Sequence, residues 1–116
     1  MAGETVTSGQ DLRAISGGPT VRAMGFTKRL HAGIMAGEIT ETIRIWQRPH
    51  VKVGGRYAFP AGGQIEVTRL REIEIADITA DMARRQGFDG LVDLLKIAKH
   101  GPGERVFLVE FEYHAA

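Results

Sequence analysis

The chain has 116 residues, of which 43% are hydrophobic and 25% charged, with 15 glycines and a formal net charge of +1. This length and balance predict one globular domain and exclude a chain that is disordered throughout. The absence of cysteine excludes disulfide scaffolds, cysteine-ligated metal sites and cysteine nucleophiles. No apolar run is long enough for a membrane-spanning helix and no signal-peptide pattern is present, so we expect a cytoplasmic protein that does not bind membranes.

Charge is unevenly distributed along the chain. Residues 12–65 carry eight Lys and Arg side chains against two Glu, a net charge of +6, whereas residues 66–116 carry seven against ten acids, a net charge of −3. The 24 residues from Thr42 to Ile65 contain no acid but include Trp46, Tyr57 and Phe59. Basic side chains interleaved with aromatic ones suit phosphates and bases, although a solvated basic face gives the same pattern.

The N-terminal third predicts an arm followed by short elements. Residues 1–20 are rich in Gly, Ser and Thr without a hydrophobic period, so we expect a flexible arm there and one domain over residues 21–116. Val21–Phe26 predicts a short strand. Thr27 predicts the N-cap of a helix that ends at Gly37. The apolar face of that helix is formed by Phe26, Leu30 and Ile34.

The middle of the chain predicts three strands. Thr40–Trp46 alternates, so that one face is polar and aromatic, formed by Thr40, Thr42, Arg44 and Trp46. A loop over Gln47–Gly55 leads to a short strand over Arg56–Phe59. Alternation in the long strand Gln64–Ile75 breaks, which predicts a bend or bulge near Arg69–Arg71. Such curvature favours a sheet that closes toward a barrel.

The last part predicts two short helices and a strand. Thr79 caps a helix that ends at Gly87, and Asp89 opens a second one. In the strand Arg105–Tyr113, Val106 and Leu108 give way to Glu110, Glu112 and His114 on one face, so only its first half is expected to be buried on both sides. This order of elements predicts an α+β domain.

Short motifs follow one another in a fixed order over residues 24–114: AGEITETIRIW at 36–46, VGG at 53–55, DIT at 77–79, GF at 87–88 and VEF at 109–111. Their order resembles the ASCH domain, the activating signal cointegrator homology family of the PUA-like superfamily. The resemblance implies a PUA-like mixed β-barrel of about five or six strands, with two or three short helices packed on one side.

The family signature has the form Gly-x-Lys-x-x-Glu/Thr-x-Arg. Gly37, Thr42 and Arg44 match it, and Thr40 matches a further threonine of bacterial members, but Ile39 occupies the lysine position. An isoleucine offers neither a cation nor a nucleophile. The chain therefore departs from the family pattern at a residue to which family chemistry is assigned.

Similarity to small bacterial members implies an amidohydrolase that removes an acyl group from a modified cytidine. That activity is associated with the signature lysine, the threonine and a glutamate, whose positions are occupied here by Ile39, Thr42 and Gln86. Thr42 is the one catalytic candidate, and no base lies beside it on its strand face. Lys28 would have to approach it from the preceding helix.

Similarity to other members implies RNA binding, or ribonuclease activity. Arg44 would hold a phosphate and Trp46 would stack on an unpaired base. A surface that follows the backbone of the nucleic acid would add Lys28, Arg29, Arg48 and Lys52. The leading interpretation is a monomer without cofactor that binds single-stranded RNA or a nucleotide. A nucleoside- or RNA-directed hydrolase and a protein-interaction module are the alternatives.

Each of these residues also has a structural interpretation. Arg44 could pair with Glu110, Glu112 or another acid, and Trp46 could plug the barrel. Thr40 and Thr42 suit any strand. The four histidines show no ligand spacing with Asp or Glu, so no metal site is predicted. His50 is a loop residue that is solvated, contacts a ligand or acts as a general acid in RNA cleavage, and the solvated state is favoured.

Overall fold

Four antiparallel strands form a sheet that curls into a half-barrel in a computed structural model, which describes residues 22–99 and 101–116. The predicted arm over 1–20 lies outside the described residues. In chain order the strands are β1 (Glu41–Trp46), β2 (Arg56–Ala58), β3 (Gln64–Ile73) and β4 (Arg105–His114), and their order in the sheet is β1-β4-β3-β2. The predicted α+β class is confirmed at this level.

Three short helices accompany the sheet. They are α1 (His31–Met35), which a 3-10 turn over Lys28–Leu30 precedes, α2 (Ala80–Arg85) and α3 (Leu91–Ala98). Thr79 caps α2, since its hydroxyl accepts a hydrogen bond from the Met82 N–H at 3.1 Å. The N-cap of α3 is Gly90 rather than the predicted Asp89. Within the described ranges, no helix has the length and apolar character needed to cross a membrane.

β4 is the centre of the sheet because it pairs with both β1 and β3. Val106 to Val109 are buried, so the prediction that only the first half of this strand is covered on both faces is confirmed. The register places Arg44 of β1 beside Phe107 and Ile65 of β3 beside Tyr113. Val67 and Leu70 of β3 likewise pair with Phe111 and Val109, so large apolar side chains of β3 and β4 lie together on one face of the sheet.

β3 carries the predicted irregularity. The register shifts between Val67 and Arg69, which leaves Thr68 as the extra residue just before the predicted position. The strand ends at Ile73 rather than Ile75. It ends early because Glu74 and Asp77 form a capping box that starts a 3-10 turn.

The chain before α1 adds a short edge to the sheet. The predicted strand over 21–26 is reduced to one parallel bridge between Ala23 and Ala58, and Val21 lies outside the described residues. The Met24 N–H donates to the Ala58 carbonyl at 3.0 Å, and the Ala58 N–H donates to the Arg22 carbonyl at 2.8 Å. Segment 22–24 thus extends the sheet beyond β2, opposite the edge formed by β1.

Gly103, just before β4, lies against the end of β1. It is buried, and a Cβ at this position would overlap the backbone of Trp46 and Gln47. We expect Gly103→Ala to lower the free energy of unfolding by about 1–3 kcal/mol, because backbone on both sides must move. Urea denaturation at neutral pH measures the loss.

Gly25→Ala is the matched control, since a Cβ there meets nothing within 4 Å. We expect it to change the free energy of unfolding by less than about 0.5 kcal/mol. Equal stabilities of the two variants would show that the packing between Gly103 and the end of β1 is loose.

Candidate functional site

A cleft separates the two edges of the curled sheet. It encloses about 800 Å³ between the segment 22–27 and β1. Its lining includes three of the four residues predicted on the polar face of β1: Thr42, Arg44 and Trp46. The other walls are formed by the 3-10 turn, the loop after β1, β2, Phe88 between α2 and α3, and Ile97 of α3. A volume of this size suits a small molecule or one nucleotide rather than a long polymer.

Arg44 is a half-buried cation on the floor of this cleft. Its Nη2 donates to the Gly25 carbonyl at 2.5 Å, and its Nε donates to the Thr42 hydroxyl at 3.3 Å. The guanidinium also lies 4.8 Å from the centre of the Phe26 ring. Burial lowers the pKa of Arg44 to about 10, so the side chain is still charged at neutral pH.

No acid among residues 22–99 and 101–116 forms an ion pair with Arg44. The two carboxylates considered from the sequence are engaged elsewhere: Glu110 lies 3.7 Å from Arg69, and Glu112 lies 3.9 Å from His114. Both alternate with Val109 and Phe111 along β4, so they point away from the face that carries Arg44. The structural interpretation of Arg44 as a partner of these two acids is wrong.

Trp46 also lies on the floor of the cleft. The indole is only 4% exposed, and its ring is tilted against Phe107 at 5.8 Å. His50 stacks on it with a centroid distance of 4.7 Å and an interplanar angle of 15°. The imidazole of His50 therefore covers the Trp46 surface on which the sequence analysis predicted that a base would stack.

The two threonines of the predicted face differ in position. Thr40 is exposed and does not line the cleft, and its carbonyl accepts a hydrogen bond from the Phe111 N–H at 2.9 Å. Thr42 is 5% exposed and lies beside the Arg44 guanidinium. A cation cannot take a proton from the Thr42 hydroxyl, so the described geometry supplies this candidate nucleophile with no base.

The predicted basic surface is not gathered at the cleft. Lys28, Arg29, Arg48 and Lys52 are all exposed, and none of them lines the cavity. Arg29 is held by Asp93, since the Nη2 and Oδ2 atoms are 2.6 Å apart, and it lies over the Phe88 ring at 5.2 Å. The positive charge of the cleft is therefore supplied by Arg44 and the exposed Arg22, which both line it.

Gln86 fastens the outer edge of β1 to α2. It is 1% exposed, its Oε1 accepts from the Ile43 N–H at 2.9 Å, and its Nε2 donates to Glu41 Oε2 at 2.9 Å. These partners require an oxygen on one side and an N–H donor on the other, which fixes the orientation of the amide. Where the family resemblance expects a glutamate, the chain has a neutral structural residue.

Ile39, at the position of the signature lysine, is also part of the packing. Its Cδ1 lies so close to Gly33 and Gly87 that a Cβ at either glycine would come within 2.7 Å or 3.0 Å of it. The side chain is half-buried against the core. The apolar environment explains why isoleucine rather than a cation occupies this place.

A polar cluster occupies the outer face of the sheet near the end of β4. Glu66, Glu112 and His114 have donor atoms within 4.8 Å of one another, and the sequence analysis missed them because Glu66 lies on another strand. The alternation of Glu112 and His114 on one face is the local signal. His114 Nε2 and Arg56 Nη2 lie 2.9 Å and 3.3 Å from Glu66 Oε1, so a hydrogen bond and an ion pair account for the cluster.

Two further cleft residues, Gly25 and Phe26, were not identified as site residues from the sequence. Phe26 packs against Phe111 at 5.5 Å and Phe59 at 5.8 Å. The pairing of segment 22–24 with β2 brings these two residues opposite β1. Comparison of the chain with protein-family models, curated proteins and solved structures finds no match in any of the three.

Gln86→Glu tests whether position 86 is structural. The new carboxylate could not donate to Glu41, and burial beside that acid would raise its pKa above the value in the unfolded chain. We expect the variant to lose about 1–3 kcal/mol of unfolding free energy at pH 7 and less at pH 5, because a raised pKa makes the protonated, better tolerated form available as the pH falls.

Urea denaturation at both pH values measures this difference against the unsubstituted chain. Gln47→Glu is the control, because it makes the same chemical change in an exposed loop and should alter stability by less than about 0.5 kcal/mol at either pH. A Gln86→Glu variant as stable as this control would contradict the role of the amide.

Proposed function

We propose that this protein binds a nucleotide, free or as part of single-stranded RNA, in the cleft between segment 22–27 and β1. The observation that carries the proposal is the charge of Arg44. A guanidinium has five N–H donors, and the described contacts use two of them. Three donors of a half-buried cation are left for a ligand, and a phosphate offers oxygens in the matching geometry.

The surroundings of Arg44 favour a ligand with a flat apolar part as well as an anion. The guanidinium lies over the Phe26 ring, and Trp46, Tyr57 and Val51 also line the cleft. An inorganic anion would leave this aromatic surface unused. A nucleotide uses both features because its phosphate and base are joined through one sugar.

The same proposal includes the fold family. We infer a PUA-like barrel of the ASCH type, which the order of motifs along the chain suggests. The four-stranded half-barrel and the fifth, short edge over residues 22–24 are compatible with the five or six strands of that fold. The signature residues Thr42 and Arg44 line the cleft.

Binding is favoured over hydrolysis on the positions of three residues. Thr42 lies beside a cation, Ile39 is packed against the core, and Gln86 binds the Ile43 backbone and the Glu41 carboxylate. A hydrolase would need a base or an acid in the cleft. Among the described residues that line the cleft there is no carboxylate, and the one imidazole, that of His50, is stacked on Trp46.

Fluorescence titration tests the proposal, because Trp46 is the single tryptophan and lies in the cleft. We expect cytidine 5′-monophosphate and a short single-stranded RNA to change its emission, with affinity that falls as salt is raised. Arg44→Gln should weaken binding about 10- to 100-fold, the loss expected for a hydrogen-bonded charge. The affinity of Arg44→Lys should lie between those of Arg44→Gln and the unsubstituted chain, since lysine keeps the charge but lacks the paired N–H donors of the guanidinium.

Arg71→Gln is the matched control. It removes the same charge from an exposed position of β3 that does not line the cleft, and it should leave affinity unchanged. Equal affinities for Arg44→Gln and the unsubstituted chain would place binding elsewhere. A chain that responds to neither ligand would favour the protein-interaction module.

A further inference from the structure

The stack of His50 on Trp46 has the geometry of a bound base. The two rings are 15° from parallel with centroids 4.7 Å apart, and both side chains line the cleft. Offset stacking at this distance is the arrangement that planar aromatic groups prefer. The imidazole therefore covers the indole surface that a nucleobase would need.

Little besides the stack holds the imidazole in place. Among the described contacts, the His50 ring makes no hydrogen bond or ion pair, and residues 47–50 are all exposed. The loop is anchored again directly afterwards, because Val51 is buried and the Lys52 N–H donates to the Tyr57 hydroxyl at 2.9 Å. A movement that removes His50 from Trp46 can thus be confined to the exposed turn and leave the walls of the cleft intact.

We propose that His50 is an intramolecular place-holder for the base, which the ligand displaces from Trp46 when its phosphate binds Arg44. This inference rests on the proposed function and adds the position of the base and a residue that regulates affinity. Displacement costs the free energy of the His50–Trp46 stack, so the native chain binds nucleotides more weakly than its cleft would allow. An anion without a base needs no displacement.

NMR of His50 is the direct test. Ring currents of Trp46 shift the imidazole resonances of the stacked His50 upfield. Saturating cytidine 5′-monophosphate should return these resonances toward the position of a solvated histidine, whereas saturating inorganic phosphate should leave them in place. The ligands are added to the full chain at one pH and one ionic strength, and Arg44 resonances report occupancy of the phosphate position in both titrations.

His50→Ala gives an independent measurement. We expect its affinity for cytidine 5′-monophosphate to increase about three- to tenfold, as removal of an aromatic pair predicts. Its affinity for inorganic phosphate should not change. In the free variant, acrylamide should quench Trp46 more strongly, and the nucleotide should restore the protection. Val53→Ala is the control because it alters another exposed side chain of the same loop that does not line the cleft.

The outcomes separate this inference from the proposed function. In one outcome, the nucleotide binds in a way that requires Arg44 and yet leaves the His50 resonances unchanged. That result would overturn the displacement of His50 but not the proposed binding function. Weaker nucleotide binding by His50→Ala would also overturn it, because His50 would then be a ligand contact. If neither the native chain nor His50→Ala binds the nucleotide, both proposals fall.

Discussion

The hydrogen bond from Arg44 to the Gly25 carbonyl joins the two edges of the sheet. One edge is segment 22–24, paired with β2, and the other is β1. The backbones of these edges do not pair with each other, because a cavity of about 800 Å³ separates segment 22–27 from β1. A long side chain spans the gap instead, and the cleft stays open beside it. The closure of the sheet and the charge in the cleft therefore depend on the same residue. Apolar packing could close such a gap without burying a cation. Keeping a charge next to the cavity therefore lowers the stability of the fold relative to apolar packing.

The opposite edge of β1 is held just as specifically. Gln86 accepts from the backbone of Ile43 and donates to Glu41, while Lys99 bridges to Ile45. Covering an edge strand in this way reduces its tendency to slip in register or to pair with another chain. The two positions at which the chain departs from the signature of the proposed ASCH family both have structural roles. Ile39 contributes apolar packing, and Gln86 contributes neutral hydrogen bonds. Neither residue lines the cleft, whose charged lining residues within the described chain are Arg44 and the exposed Arg22.

What the sequence predicted correctly is local. Alternation located β1 and β4, the break in alternation located the bulge near Thr68, and Thr79 marked the start of α2, since each depends on residues a few positions apart. The same alternation placed Thr42, Arg44 and Trp46 on one face. What it could not supply is which distant segments meet. Gly25 lies 19 residues from Arg44 and Gln86 lies 43 residues from Ile43, and no periodicity encodes either contact. The candidate ion pairs of Arg44 failed for that reason, because alternation within each strand does not tell which face of β1 lies on the same side of the sheet as the acidic face of β4.

The cleft combines rigid and movable parts, and the division follows from secondary structure. Arg44 and Trp46 alternate on one strand that is fixed along both edges, so the distance between the cation and the indole is set by the pleat, with their Cα atoms about 7 Å apart. Groups held by strands keep their geometry better than groups held by loops. His50, in contrast, belongs to an exposed turn and reaches the indole only by stacking. A ligand that exchanges places with His50 gains the aromatic surface without disturbing the strand that carries the charge. The affinity of the site can then be tuned through the loop alone, while the orientation of the ligand is fixed by β1.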